Sequence, residues 1–269
     1  MRISGETRLI GLLGNPVSHS LSPLMQNAAF AARALDWAYV PLPVEEARLE
    51  EAVAGLAALG FEGANVTIPH KRAVLSFCHE VDAVTERAGS VNTLVVRDGR
   101  VLGSSTDGLA VTEAVDVASA RVLVLGAGGA AQAVATAVLD ASAGSLAVAA
   151  RDPERASALV SRLRAVFPER DIRAAEGWPP GRGDATILVN ATPLRDEVPL
   201  EPDGFEAVVD LAYSADGAAT ALVEAASAAA CDTVDGLEVL VRQGAASFER
   251  WTGISAPTDV MRSAVRRPA

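Results

Sequence analysis

Between Val122 and Leu139 the chain carries no charged side chain. Such a run is long enough to cross a bilayer, but Gly126, Gly128, Gly129, Gln132 and Thr136 interrupt it. A buried strand, a tight turn and an apolar helix account for the pattern better. Val122-Leu123-Val124-Leu125 is then followed by G-x-G-x-x-A, placed where the helix begins. The first glycine allows the turn, and the second lets the backbone approach a pyrophosphate. The helix N-terminus supplies the positive end of a dipole. A glycine pattern alone is weak, but one set between an apolar strand and a helix is the context of a dinucleotide site. Gly126, Ala127, Gly128, Gly129 and Ala130 are therefore expected to contact a cofactor.

The same alternation runs through the rest of the sequence. Strands are expected at residues 8–14, 37–42 and 61–67. Ser22-Pro23 predicts a helix to about Leu35, with serine as cap and proline in the first turn. Residues 45–59 place Leu49, Val53 and Leu56 on one helical face, and Pro69 is expected to open a helix carrying Lys71. The Asp98-Gly99 pair predicts a hairpin between 93–96 and 100–103. After a helix from Asp107 to about Val117, strands at 121–125, 146–150, 186–190 and 207–211 alternate with helices at 129–139 and 153–167. This order implies an α/β protein with a Rossmann-type, doubly wound parallel sheet in its second half. Helices at 237–251 and 257–266 have no strand after them. Two domains are expected, 1–107 and 108–236, with 237–269 packing back onto the first.

Half of the residues are apolar and 4% aromatic, so alanine, valine and leucine must fill the interior. The net charge of −11 argues against nucleic acid as a partner. The polar opening Met1-Arg2-Ile3-Ser4-Gly5-Glu6 does not read as a secretory leader, and no membrane association is expected. Cys78 and Cys231 lie in unrelated contexts, which suggests a reducing, cytoplasmic setting rather than disulfides. His19, His70 and His79 lack metal-ligand spacing, and no metal is expected. Of the 23 basic residues, 22 are arginine and one is lysine, Lys71. Arginine stays protonated, whereas an amine gives up and recovers a proton. Lys71 is thus a candidate for proton exchange.

Lys71 lies in Asn65-Val66-Thr67-Ile68-Pro69-His70-Lys71, and that segment has companions. Gly14-Asn15-Pro16-Val17-Ser18-His19-Ser20-Leu21-Ser22-Pro23 precedes it. Ser90-Val91-Asn92-Thr93, Ser105-Thr106-Asp107-Gly108, Asn190-Ala191-Thr192-Pro193, Asp210-Leu211-Ala212-Tyr213 and Gly236-Leu237-Glu238-Val239-Leu240-Val241-Arg242-Gln243 follow in order. Together with the glycine fingerprint these segments resemble the shikimate dehydrogenase family. The resemblance implies NADP-dependent, reversible reduction of 3-dehydroshikimate to shikimate. It implies Lys71 and Asp107 as the proton-transfer pair, and Ser20 and Ser22 at the substrate carboxylate. Thr67, Asn92 and Gln243 would bind the ring hydroxyls, and Tyr213 would lie near substrate and nicotinamide. Thr192, Leu211 and Gly236 would join the glycine turn in cofactor binding, within a cleft between the lobes. Taken alone, Gln243 would be a helix-surface residue, Tyr213 a half-buried core aromatic and Asp107 a helix cap.

Several positions depart from the family pattern: Gln26 for histidine, Ser105 and Ala150 for asparagine, and Leu194-Arg195-Asp196 for Gly-Met. An NAD site usually ends its second strand with an acid that bonds the ribose. Here that position is Ala150, and Arg151 and Arg155 suit the 2′-phosphate of NADP. Asp152 is either a ribose ligand for NAD or the cap of the helix that Pro153 begins. The alternatives are an NAD-preferring quinate/shikimate dehydrogenase and a non-catalytic nucleotide sensor on the same fold. Either a monomer or a homodimer is compatible with the sequence.

Overall fold

A computed structural model describes residues 3–266; of the polar opening, Met1 and Arg2 lie outside them. The chain forms two compact units. One contains the residues up to Thr106 and those from Leu240 onward, and the other spans Asp107–Val239.

The first unit begins with β1 (Arg8–Gly14), α1 (Ser22–Ala32), β2 (Trp37–Pro43), α2 (Leu49–Ala58) and β3 (Phe61–Val66). It continues through β4 (Glu80–Val81), α3 (Ala83–Ala88), β5 (Thr93–Arg97) and β6 (Arg100–Ser104). The sheet order is β2-β1-β3-β5-β6-β4. β1 runs parallel to β2 and β3, whereas β5 is antiparallel to β3 and β6. The antiparallel pair follows from Asp98 and Gly99, whose φ values of 51° and 75° make the tight reversal that the sequence predicts. Leu49, Val53 and Leu56 of α2 pack on Leu13, Val66 and Leu94 of the sheet.

The second unit contains α4 (Asp107–Thr112), β7 (Arg121–Leu125), α5 (Gly129–Asp140), β8 (Ser145–Ala149) and α6 (Pro153–Val166). It also holds β9 (Asp171–Ala174), β10 (Ile187–Asn190), β11 (Ala207–Asp210), α7 (Ala221–Ala228) and β12 (Asp232–Val234). The order β12-β11-β10-β7-β8-β9 is parallel throughout. Alternate residues of β7 enter different cores. Val122 and Val124 pack with Val134 and Val138 of α5, while Leu123 and Leu125 pack with Phe205 and Leu222. A sheet covered on both faces explains why this strand is apolar at every position after Arg121.

The chain closes with α8 (Gly236–Thr252) and α9 (Thr258–Arg266). From Leu240 onward they complete the first unit. The Trp251 Nε1–H donates to the Leu94 carbonyl at 2.9 Å, and the Gln26 Nε2–H donates to the Gly244 carbonyl at 2.9 Å. Phe248 stacks on Phe30 with 5.5 Å between ring centroids, and α9 lies against α1. No helix of the described residues is long and apolar enough to cross a membrane.

Three local expectations need correction. Ser22 lies inside α1 rather than capping it; Leu21 holds the cap position without a side-chain bond. Lys71 sits in a turn, with a 3₁₀ segment at Ala73–Phe77 after it, instead of an α-helix. Its carbonyl accepts the Val91 N–H at 2.7 Å, which takes it away from an i+4 partner. The helix opened by Asp107 stops at Thr112 rather than near Val117.

Candidate active site

In the first unit, β1 and β3 end at the same edge of the sheet, where β5 begins and β6 ends. That edge collects the sequence-predicted substrate residues. Ser20 and Ser22 follow β1, Thr67 and Lys71 follow β3, and Asn92 immediately precedes β5. The Asn15 N–H donates to the Ile68 carbonyl at 3.0 Å, tying the first loop to the second. Ser20 is half-buried, and its hydroxyl accepts the Ser22 N–H at 3.2 Å. The capping-like bond expected of Ser22 thus falls to Ser20, while Ser22 is buried. His19 is exposed.

The backbone around Lys71 is fixed on each side. The Thr67 N–H donates to the Leu13 carbonyl at 2.8 Å, and the His70 N–H to the Thr67 carbonyl at 2.9 Å. The His70 Nε2–H donates to the Val44 carbonyl at 2.7 Å, so the buried ring anchors the turn to the end of β2. Lys71 itself is half-buried. Asn92 and Gln243 come together: the Asn92 Nδ2–H points to Gln243 Oε1 at 3.4 Å, and Gln243 Nε2 donates to its own helix at the Leu240 carbonyl, 2.8 Å away. Asp107 is buried as the first residue of α4 in the second unit, where the helix dipole favours a carboxylate.

The second unit repeats the arrangement at the C-terminal edge of its parallel sheet, where ligands of such sheets bind. Gly126 has φ +114°, and a Cβ there would lie 2.9 Å from the Ala191 carbonyl oxygen. Only glycine serves this turn. Gly128 caps α5 without a side chain, and a Cβ on it would meet nothing within 4 Å. Open space thus lies beside Gly128 at the N-terminus of α5, which fits a pyrophosphate. Ala127 is buried.

Beyond β8, Arg151 and Arg155 are exposed. The Asp152 carboxylate accepts the Glu154 N–H at 3.0 Å and the Arg155 N–H at 3.3 Å. It is the N-cap of α6, the second of the two roles the sequence left open. Thr192 follows β10, Leu211 and Tyr213 follow β11, and Gly236 follows β12. A Cβ on Gly236 would collide with the Ala212 carbonyl, so glycine allows α8 to start against that loop.

Sequence reasoning did not single out the residues that hold these loops. Asn190 Nδ2 donates to Asp210 Oδ1 at 2.9 Å, while Asn190 Oδ1 accepts the Thr192 hydroxyl at 2.6 Å. Asp210 also accepts the Ala212 N–H at 2.9 Å and the Thr220 hydroxyl at 2.5 Å. Burial pushes the Asp210 carboxyl above the ordinary carboxylate range, against these donors. The signal was a polar residue ending each apolar strand, Asn190 after Ile187-Leu188-Val189 and Asp210 after Ala207-Val208-Val209.

Three family models match the chain in sequence order: the shikimate dehydrogenase substrate binding domain over residues 12–94, shikimate / quinate 5-dehydrogenase over 108–174, and the shikimate 5'-dehydrogenase C-terminal domain over 236–266. A shikimate dehydrogenase (NADP(+)) of Rubrobacter xylanophilus is 44% identical, with 98% of this chain and 97% of the relative covered. The chain belongs to the shikimate dehydrogenase family. A second shikimate dehydrogenase (NADP(+)), from Moorella thermoacetica, is 41% identical over 99% of this chain and 95% of its own. The crystal structure of the Thermus thermophilus shikimate 5-dehydrogenase in complex with NADP(H) and shikimate superposes with a TM-score of 0.85 at 33% identity, covering 97% of this chain and 99% of that one. Shikimate dehydrogenase family members thus share the fold over essentially the whole length.

Proposed function

We propose that this protein catalyses the reversible, NADP-dependent reduction of 3-dehydroshikimate to shikimate. One observation carries the reading: the chain's single lysine is held, by its backbone, at the sheet edge that also bears Ser20, Thr67 and Asn92. Bound NADPH supplies the hydride for the carbonyl carbon. The oxygen left on the ring then needs a proton, and Lys71 Nζ donates it, with Asp107 sustaining the exchange. Proton transfer by a placed group is worth about 10²–10⁴-fold. Ser20 and Ser22 hold the substrate carboxylate beside the start of α1, while Thr67, Asn92 and Gln243 bind the ring hydroxyls. Tyr213 stands near substrate and nicotinamide.

The residues present fit NADP. Gly126 to Ala130 receive the pyrophosphate at the N-terminus of α5, and Arg151 and Arg155 pair with the 2′-phosphate. Thr192, Leu211 and Gly236 border the rest of the cofactor. Because the Asp152 carboxylate is engaged in two capping bonds, a ribose-binding role in NAD use loses support. The substrate domain is read as 1–107 with 237–269, and the nucleotide domain as 108–236. The protein is read as a cytoplasmic monomer or homodimer.

Initial rates of NADPH formation from shikimate test the proposal. Turnover with NADP well above that with NAD is expected. Cofactor binding without turnover of shikimate would overturn it in favour of a sensor.

A further inference from the structure

Asn190 and Asp210 end neighbouring strands of the parallel sheet and stand side by side in its register. Both are completely buried, where a polar side chain needs partners. Backbone N–H groups, which can only donate, fix the sense of the bonds around them. Asn190 Oδ1 accepts the Thr192 N–H at 3.1 Å, so that end of the amide is the oxygen. The Thr192 hydroxyl, 2.6 Å from the same oxygen, donates to it, and Asn190 Nδ2 is left to donate to Asp210 Oδ1 at 2.9 Å. Asp210 Oδ1 also takes the Ala212 N–H at 2.9 Å.

The other carboxyl oxygen is held by the start of α7. The Thr220 hydroxyl donates to Asp210 Oδ2 at 2.5 Å and accepts the Val223 N–H at 3.3 Å as the cap of that helix. The Ala221 N–H donates to the Arg195 carbonyl at 2.8 Å, in the loop that follows Thr192. One helix end therefore ties down the loops after both β10 and β11.

Two glycines close against those loops. The Ala191 N–H donates to the Leu125 carbonyl at 2.8 Å, and the Ala191 carbonyl leaves no room for a Cβ on Gly126. The Ala212 carbonyl does the same at Gly236. Ala191 lies between Asn190 and Thr192, and Ala212 is the residue whose N–H Asp210 binds. In a close-packed interior, a shift of either loop would displace the glycine turn or the start of α8.

We propose that Asp210, braced by Thr220, is a positioning residue for the cofactor: one buried carboxyl presets the Thr192 loop through Asn190 and the Ala212 loop directly, and with them the backbone at Gly126 and Gly236. This rests on the reading of the glycine turn, Thr192 and Gly236 as cofactor contacts.

Thr220→Val keeps the side-chain shape and deletes the hydroxyl that Asp210 Oδ2 binds. The expected result is a rise of about tenfold in the NADP Kd, equivalent to about 1.4 kcal/mol, with the shikimate Kd of the cofactor-free protein unchanged. Thr220→Ser retains the donor, and Asp210→Asn offers an N–H of its own to the Thr220 oxygen; both should stay within about threefold of the wild-type NADP Kd. A Thr220→Val protein with wild-type NADP Kd overturns the proposal, as does an equal loss in the Val and Ser variants or an equal rise in the Kd of both ligands. Should Thr220→Val fail to fold, residue-resolved amide hydrogen exchange on the wild-type protein decides. The Thr192 and Ala212 N–H groups should be as protected without NADP as the strands they follow, and protection that appears only with NADP overturns the proposal. Gly128→Val separates the two readings, because a Cβ there meets nothing within 4 Å while the branched side chain fills the space beside the glycine turn. If that variant binds NADP as wild type does, the cofactor reading falls and the proposal with it, whereas an unaffected Thr220→Val beside a Gly128 effect removes the proposal alone.

Discussion

Lys71 combines a rare residue type with a well-anchored backbone. Val91 N–H binds its carbonyl, and the preceding His70 is fixed through its ring to Val44. Replacing it with arginine keeps the charge but puts a guanidinium, which does not release its proton in proteins, in place of the amine. Lys71→Arg should therefore leave shikimate affinity within a few-fold, measured by calorimetric titration, and lower kcat by roughly 100-fold or more. A near-normal kcat would refute proton transfer from this amine. The lysine was legible in the sequence because composition alone set it apart. Thr106 and Asn65 were not, because one polar residue beside a strand looks the same whether it faces water or a buried amide. Their hydrogen bonds to Asn92, Ser247 and the Gln243 carbonyl appear only in three dimensions.

Among the elements, α6 shows how a local rule decides between two chemical readings. Asp152 precedes Pro153 and accepts two N–H groups of the first helical turn. Asp152→Ala should lower stability by about 1 kcal/mol, seen as a lower urea midpoint with an unchanged slope. Asp152→Asn, which still caps, should fall by much less. If both variants lost NAD turnover while stability held, the carboxylate would be a ribose ligand after all.

The long, apolar or periodic elements were readable: β1, α2, β3, β7, α5, β8 and α6 appear within a residue or two of expectation, apart from a 3₁₀ segment at Glu46–Arg48 that precedes α2 where helix was expected. Expectation missed β4, α3, β9, α7 and β12. β9 and β12 edge the second sheet with little burial, and α7 is Ala-rich with weak periodicity. The Lys71 turn was misread as helix because proline at an apparent helix start does not reveal that a distant N–H, here Val91, claims the next carbonyl.

On the scale of the whole molecule, the buried Asp210 gives stability an unusual pH dependence. Its folded-state carboxyl holds a proton to higher pH than in the unfolded chain, because burial disfavours the charge. Folding therefore takes up a proton in that interval, and stability falls as pH rises from about 4, the unfolded value, to the raised folded value. Exposed Asp184 runs the other way: the Arg173 hydrogen bond lowers its carboxyl, so its contribution is lost as pH falls. Comparing wild type with Asp210→Asn isolates the first effect. Asparagine accepts from Asn190 and Ala212 and donates to Thr220. The variant should gain stability relative to wild type as pH is raised from 4 to 7, in urea melts at each pH. A difference independent of pH would show that Asp210 folds already ionised.

The helix α8 is one unbroken rod whose opening residues count with the nucleotide unit and whose remainder, from Leu240, counts with the first. Topologically, residues 107–239 are a cassette spliced into another fold, and the exit splice lies within a helix. A helix turns about 100° per residue, so adding or removing one residue at that joint changes the helical phase between the residues before Leu240 and those after it. Exchanging the cassette for that of a relative, to change coenzyme choice, is thus a problem of rotational phase as much as of sequence.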